Sequence, residues 1–431
     1  MILTKILTSN TITNTIWMLL EKLIKVAFSL FVGVMVARYL GPEDFGRLSY
    51  ILAFAAFFSA ISSFGIDSVA VKDLVQVKSN TGLTLGSSFT IKIFGGLISF
   101  VLCIISYYFF GDESVSIYLI IILAIIPMFT AFNIIDLYYQ SQMNYRHIIK
   151  GLLVSTFLIG ATKLLLIYLG YDLKYFVYCY LFESFLLSLV YCYYFFFKSE
   201  FNYSDLKCNL ITIKGLILKG LPLIISSVFI VIYMKIDQLM LMKYCGSSCV
   251  GLYSAATRLS EAWYVIPITI TNALAPYLFS NTDSDDEFYK RLSNIFRLMW
   301  FMSISVAIIT MFISSFAIDI LFGENYSLSA NILNIHIWAG IFVSLGLVQG
   351  KFWIAKGLQN KVLIVTSVSC ATNVVLNILL IPEFGALGAA YATLISYGVG
   401  TLFVPLFIKE ARTMALLLVG CLFGMRVKNA Q

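Results

Sequence analysis

Twelve apolar runs occupy most of this chain and leave little room for anything else. A helix crossing the hydrocarbon layer needs about 20 apolar residues, because no water is present to satisfy the backbone from outside the segment. The runs fall at 12–37, 46–66, 85–110, 115–138, 149–169 and 173–197, then at 215–242, 250–280, 292–322, 329–355, 361–381 and 386–408. Only 12% of the 431 residues are charged, about half the fraction of a soluble chain, and the mean hydropathy is +0.92. No polar stretch is long enough for a soluble domain. The reading is an all-α integral membrane protein. It has an N-terminal lobe at 1–198 (helices 1–6), a cytoplasmic linker at 199–214 and a C-terminal lobe at 215–409 (helices 7–12). The tail, 410–431, carries a short apolar stretch at 414–425, expected to lie in the membrane interface.

The two lobes read as copies of one unit. Arg38-Tyr39-Leu40-Gly41-Pro42-Glu43-Asp44-Phe45-Gly46-Arg47-Leu48-Ser49 returns as Lys243-Tyr244-Cys245-Gly246-Ser247-Ser248-Cys249-Val250-Gly251-Leu252-Tyr253-Ser254, at an offset of 205 (243 − 38). The base, the tyrosine, both glycines and the final serine coincide. Each copy joins two apolar runs, so Gly41, Gly46, Gly246 and Gly251 mark a tight interhelical turn. Phe110-Gly111-Asp112 matches Phe322-Gly323-Glu324 at 212 (322 − 110), and Gln142-Met143-Asn144-Tyr145-Arg146 loosely matches Gly357-Leu358-Gln359-Asn360-Lys361 at 215 (357 − 142). Order is kept while the offset drifts, as expected of a duplicated half. Six spans per half give both halves the same orientation, with their pseudo-two-fold axis along the membrane normal.

Charge sets the orientation. Lys72, Lys150, Lys198, Lys214, Lys290, Arg291, Lys356 and Lys361 lie in loops of one side, and the tail adds Lys409, Arg412, Arg426 and Lys428. The opposite turns hold few bases and several acids, among them Glu43, Asp44, Asp112 and Glu324. The bias places both termini in the cytoplasm and both copies of the repeated turn outside it. It also accounts for the net charge of +7 without a nucleic-acid partner. No cleavable signal is expected, since the first apolar run contains Glu21, Lys22 and Lys25 and lacks a small-residue cleavage site after it. Prolines 127, 222, 267, 276 and 405 fall inside spans; Pro267 and Pro276 make helix 8 the best candidate for bending.

Charge inside a span costs about 2.5–3.5 kcal/mol near the bilayer centre, so it marks a cavity or a partner. Helix 1 carries Glu21 and Lys25, four apart on one face and able to neutralise each other, while Lys22 points elsewhere. Helix 7 carries Lys235 and Asp237, two apart and on different faces. Helix 8 carries Arg258 and Glu261, three apart and able to pair. Lys163 and Glu183, on helices 5 and 6, join this set or pair with each other. Polar faces on helices 1, 7 and 8 imply a hydrated central cavity. The abundant aromatic residues read as lipid-facing or interfacial belt.

Of the cysteines, Cys245 and Cys249 share one loop; free thiols are the expectation and a disulfide on an oxidising face the alternative. His147 and His336 make no ligand spacing, so no metal or other cofactor is expected. There is no phosphate loop and no long extramembrane loop with an acid–base pair, which argues against an enzyme.

Two segments carry a family resemblance. Residues 36–46, Val-Ala-Arg-Tyr-Leu-Gly-Pro-Glu-Asp-Phe-Gly, resemble the first helix–turn of polysaccharide transporters of the Wzx type, the O-antigen flippases. Residues 250–261, ending in Arg258-Leu259-Ser260-Glu261, and residues 385–393 resemble the eighth and last helices of that family, and the likeness spans nearly the whole chain. It implies the multidrug/oligosaccharidyl-lipid/polysaccharide exporter superfamily, with two six-helix lobes in a V around a central cavity. It implies transport of undecaprenyl-pyrophosphate-linked repeat units across the bacterial inner membrane. Lys22, Lys25, Lys235 and Arg258 would then offset pyrophosphate charge, and Glu21, Asp237 or Glu261 would take up a proton or cation. A polysaccharide polymerase and a chain-length regulator are the implied partners. Two alternatives stay open: a drug/cation antiporter of the same fold, which favours a more acidic cavity, and a membrane enzyme of polysaccharide assembly, which needs a long outer loop.

Overall fold

The computed structural model describes residues 9–76, 81–142, 146–199, 201, 205–279 and 285–422. Among these, ten stretches are long and apolar enough to cross a membrane. Two of them, Leu20–Val75 with 56 residues and Gln359–Phe407 with 49, are far longer than one crossing of about 20 residues. Each is folded back at a glycine, so the count is 10 + 2, or twelve spans.

The helix Ser9–Ser62 breaks at Gly41 into α1 (9–40) and α2 (42–62). Gly41 has φ 72° and ψ 172°, a region open essentially to glycine alone. Pro42 then starts α2, where its missing N–H costs no helical bond. A short helix, Asp67–Gln76, leads to α3 (Thr81–Phe110). Span α4 consists of Ile117–Ala124, Ile126–Thr130 and Asn133–Ser141, interrupted around Pro127. Then follow α5 (Arg146–Tyr168) and α6 (Leu173–Lys198).

In the second half α7 is Leu210–Cys245, and Gly246 (φ 85°, ψ 177°) turns the chain into α8. The two equivalent glycines of the repeat therefore share one backbone conformation. Span α8 divides into Ser247–Ala262 and Val265–Phe279. The break lies one turn before Pro267, as expected for a residue that bonds no carbonyl four positions back. Next come α9 (Asp285–Leu321) and α10, the latter in two pieces, Ser329–His336 and Ala339–Ala355. The helix Gln359–Gly398 breaks at Gly385 into α11 (359–384) and α12, which starts at 386 and continues through a π turn, Val399–Phe403, and a 3-10 turn, Val404–Phe407. Helix α13 is Arg412–Leu422.

Several ends differ from the sequence expectation. Helix α7 begins at Leu210 rather than 215, and α9 at Asp285 rather than 292. Asp285, Asp286 and Glu287 fill the first turn of α9, where acids suit the helix N-terminus, so the helix starts before its hydropathy does. The Gly111–Gly323 match is incomplete in structure: Gly323 has φ 89°, whereas Gly111 is not among the positive-φ residues. Residues 143–145 of the third match lie outside the described residues.

The chain divides into two compact units, Met1–Leu40 with Tyr50–Val231, and Gly41–Ser49 with Ile232–Gln431. In the first, Leu85, Ile134, Tyr138, Ile149 and Phe195 form part of a buried cluster joining α3, α4, α5 and α6. In the second, Phe296 and Met299 of α9 pack with Leu345 and Phe352 of α10. Ala411, Met414 and Leu418, spaced by three and four, bury one face of α13 in the same cluster. Cys245 and Cys249 are joined in a disulfide rather than left as free thiols. They flank the Gly246 turn, which brings their Cα atoms to 5.8 Å, within bridging range.

Candidate functional site

The repeated turn meets its own copy inside the second unit. A Cβ added to Gly46 would fall 1.7 Å from the Ser247 carbonyl oxygen, and one added to Gly251 would fall 1.9 Å from the Pro42 carbonyl oxygen. These contacts are mates under the repeat, since 42 + 205 = 247 and 46 + 205 = 251. Only hydrogen side chains allow the first turns of α2 and α8 to cross so closely. At Gly41 and Gly246 the requirement is different: a Cβ would meet nothing within 4 Å, and the backbone conformation alone demands glycine. Phe45, beside the crossing, lies under the Arg258 guanidinium at 5.7 Å and against Tyr326 at 6.3 Å.

Below this crossing, α7, α8, α11 and α12 converge on Asp237. The carboxylate is 1% exposed. Tyr253 donates to its Oδ2 at 2.6 Å, Thr393 donates to the same oxygen at 2.6 Å, and the Asn377 amide donates to Oδ1. The Asn377 amide also donates to Asn373 Oδ1 at 3.1 Å, and the Asn373 amide reaches Ser396 Oγ at 3.4 Å. A carboxylate buried without such donors would cost several kcal/mol; three donors make it tenable. Asn377 Oδ1 is itself buried without a hydrogen-bond partner. The oxygens of Asp237, Tyr253, Thr393, Asn373 and Asn377 form a set whose chemistry suits a hard cation or a proton, not a soft transition metal.

Lys235 lies on the other face of α7, as its spacing from Asp237 requires, and acts on Glu261 and His336. At Glu261 the attraction of Lys235 exceeds that of Arg258. Arg258 acts on Glu261 as well, and its guanidinium lies over the Phe45 ring. His336 of α10 is buried beside this set, with Nδ1 at 2.6 Å from Ser260 Oγ and its ring edge-on to Tyr253 at 5.9 Å.

The first unit holds the other predicted charges. Glu21 is buried, Lys22 exposed and Lys25 half-buried. Lys25 is the strongest charge acting on Glu21, and Asp136 of α4 acts on it next. Gln140 donates to Asp136 at 2.7 Å, and Tyr191 lies within electrostatic reach of both acids. Lys163 pairs with Glu183 at 3.3 Å and lies 4.0 Å over the Tyr180 ring, so these two charges satisfy each other. Buried Lys92 pairs with Asp67 at 2.7 Å.

The charge pattern of the sequence marks Glu21, Lys235, Asp237, Arg258 and Glu261, but the neutral residues around Asp237, and Asp136, were not singled out by it. Asn373 and Asn377 are four apart, and Thr393 and Ser396 three apart, inside otherwise apolar runs; those spacings put each pair on one helix face and were a usable signal. Asp136 was equally visible as an acid within the fourth run.

Twelve apolar spans, a duplicated turn and buried charge on α7 and α8 define a multi-pass membrane transporter of the multidrug/oligosaccharidyl-lipid/polysaccharide exporter fold. The family model described as polysaccharide biosynthesis protein matches residues 11–282, and the chain belongs to that family. The model for the lipid II flippase MurJ matches residues 212–423. A Shigella flexneri protein named "Putative O-antigen transporter" is 23% identical over 392 residues, covering 88% of this chain and 93% of its own. The structure of lipid II flippase MurJ in an inward closed conformation superposes with a TM-score of 0.72 at 16% identity, over 95% of this chain and 93% of that one. An inward-facing multidrug resistance transporter of the MATE family gives 0.71 at 15%, over 92% and 95%.

Proposed function

We propose that the chain is a lipid-linked oligosaccharide flippase. It moves undecaprenyl-pyrophosphate-linked repeat units of O-antigen, or of a similar polysaccharide, from the cytoplasmic to the periplasmic leaflet of the bacterial inner membrane by alternating access. The observation that carries this reading is the set Lys235, Asp237, Arg258 and Glu261, gathered in one unit of a polysaccharide-family chain made otherwise of apolar spans. The prenyl tail stays in lipid while the charged headgroup needs a polar route. Lys235 and Arg258, with Lys22 and Lys25 of the first unit, offset pyrophosphate charge, Arg258 with the more directional donors. Asp237, held among neutral oxygens, is the favoured coupling site for a monovalent cation or proton; Glu261 and Glu21 are the others. In this reading residues 1–198 are the N-terminal lobe, residues 215–409 the C-terminal lobe, residues 199–214 the linker, and Gly41, Gly46, Gly246 and Gly251 mark conformational turns. Both termini are cytoplasmic, a polymerase and a chain-length regulator work alongside, and the protein is not an enzyme.

The test is gene deletion with analysis of surface polysaccharide and of undecaprenyl-linked intermediates. The expected result is loss of the long surface glycan with single repeat units trapped on their lipid facing the cytoplasm. Intact glycan with reduced dye efflux would overturn the substrate and favour the antiporter.

A further inference from the structure

The end of α12 changes its winding twice within nine residues. After Gly398 it widens into the π turn Val399–Phe403, tightens into the 3-10 turn Val404–Phe407, and becomes extended at Ile408 (φ −94°, ψ 110°). Along this stretch lies a groove of about 610 Å³ between α11 and α12, within the range of small-molecule sites. Ile364 and Val368 of α11 form one wall, and Phe403 and Phe407 of α12 the other. All four are exposed, Phe407 at 84%, whereas Val404 and Ile408 on the lining are buried. The groove is therefore apolar along its length and open at its side.

Its mouth is charged. Lys361, Lys409 and Glu410 line it there. Lys361 Nζ lies 3.8 Å from Glu410 Oε1, a loose pair with both side chains at least a third exposed. Lys409 makes no ion pair or hydrogen bond among the described residues. Two bases against one acid leave the mouth positive. Arg412 follows at the start of α13.

A hydrocarbon slot with a cationic rim is complementary to an amphiphile with one anionic head. We propose that this groove is a binding site for an anionic phospholipid of the surrounding bilayer, one acyl chain lying between α11 and α12 and the phosphate at Lys361 and Lys409. Basic pockets between spanning helices select anionic headgroups by charge, while the apolar wall holds the chain without selecting it. The site stands apart from the transport reading, because its signature is retained lipid and not translocation.

The experiment uses the full chain purified in mild detergent, exposed to phosphatidylglycerol or phosphatidylethanolamine at equal concentration, with retained lipid counted by native mass spectrometry. The wild type should keep phosphatidylglycerol about fivefold over phosphatidylethanolamine, the order expected of one lysine at a lipid surface. The double variant Lys361→Gln/Lys409→Gln should lose that preference and keep the basal retention. Val368→Trp, which fills the slot from an exposed position, should lose both lipids. Equal retention of the two lipids by the wild type, or an undiminished preference in the double variant, would overturn the proposal. Stronger retention of undecaprenyl phosphate than of phosphatidylglycerol would also overturn it, giving the groove to the substrate's tail.

Discussion

Asp237 shows how one charge is tolerated where water is scarce: neutral donors from three other helices surround it, and among the described residues no base is bonded to it. That arrangement leaves the carboxylate's charge uncompensated except by hydrogen bonds, so a bound cation or proton has something to gain there. Asp237→Asn should therefore abolish export while leaving the protein in the membrane, measured as surface glycan against membrane protein level. If sodium is the coupling ion, it should also raise the thermal midpoint of the wild type and not of Asp237→Asn, by the equivalent of ~2.7 kcal/mol at 100 times the dissociation constant. Arg258→Ala should likewise end export with the protein retained, and Arg258→Lys should restore only part of it, because an ammonium does not reproduce the guanidinium's forked donors or its contact with the Phe45 ring. Normal glycan in Arg258→Ala would remove that residue from the mechanism. The sequence displayed Asp237 plainly and hid its partners. A charge in an apolar run stands out by cost, whereas Asn377 or Thr393 is cheap enough to pass as background until a neighbouring helix brings it within 3 Å of a carboxylate.

Elements were legible where hydropathy and helix coincide and illegible where they part. The twelve spans follow from apolar length, and the fold-back at Gly41 from its glycine–proline pair. The break in α8 follows from Pro267, but the break in α10 between His336 and Ala339 has no proline or local glycine turn to announce it. It faces α8: a Cβ on Gly340 would fall 2.6 Å from the Trp263 ring, so that interruption is a tertiary fit between two bent helices. At the turns, two kinds of glycine predict two kinds of loss. Gly41→Ala meets only backbone strain and should lower stability by about 1–3 kcal/mol. Gly46→Val or Gly251→Val pushes a side chain into a carbonyl and should cost a similar ~1–3 kcal/mol through overpacking, with larger shifts if the helices cannot part. Because both glycines serve one crossing, the double variant should cost less than the sum, which thermal unfolding in detergent would measure.

For the whole molecule, hydropathy sets the number of spans and the charge bias gives an expected orientation, while the gathering of α7, α8, α11 and α12 around Asp237 could be seen only in three dimensions. Orientation is open to direct test through cysteine. Exposed Cys208 should react with a membrane-impermeant maleimide only from the cytoplasmic face. Cys245 and Cys249 should react only from outside and only after reduction. Labelling of Cys208 in intact spheroplasts would reverse the topology. The crossing of Gly46 and Gly251 has a further consequence for descent. Its two contacts are the same contact seen from either copy, which is the self-complementarity of a two-fold homodimer. A half-length forebear could have closed it against a second molecule of itself, so the present intramolecular seam would be a former boundary between twins. Expressed as separate chains, residues 1–209 and 210–431 should then find each other again in the membrane, and Gly46→Val in the shorter piece should keep them apart.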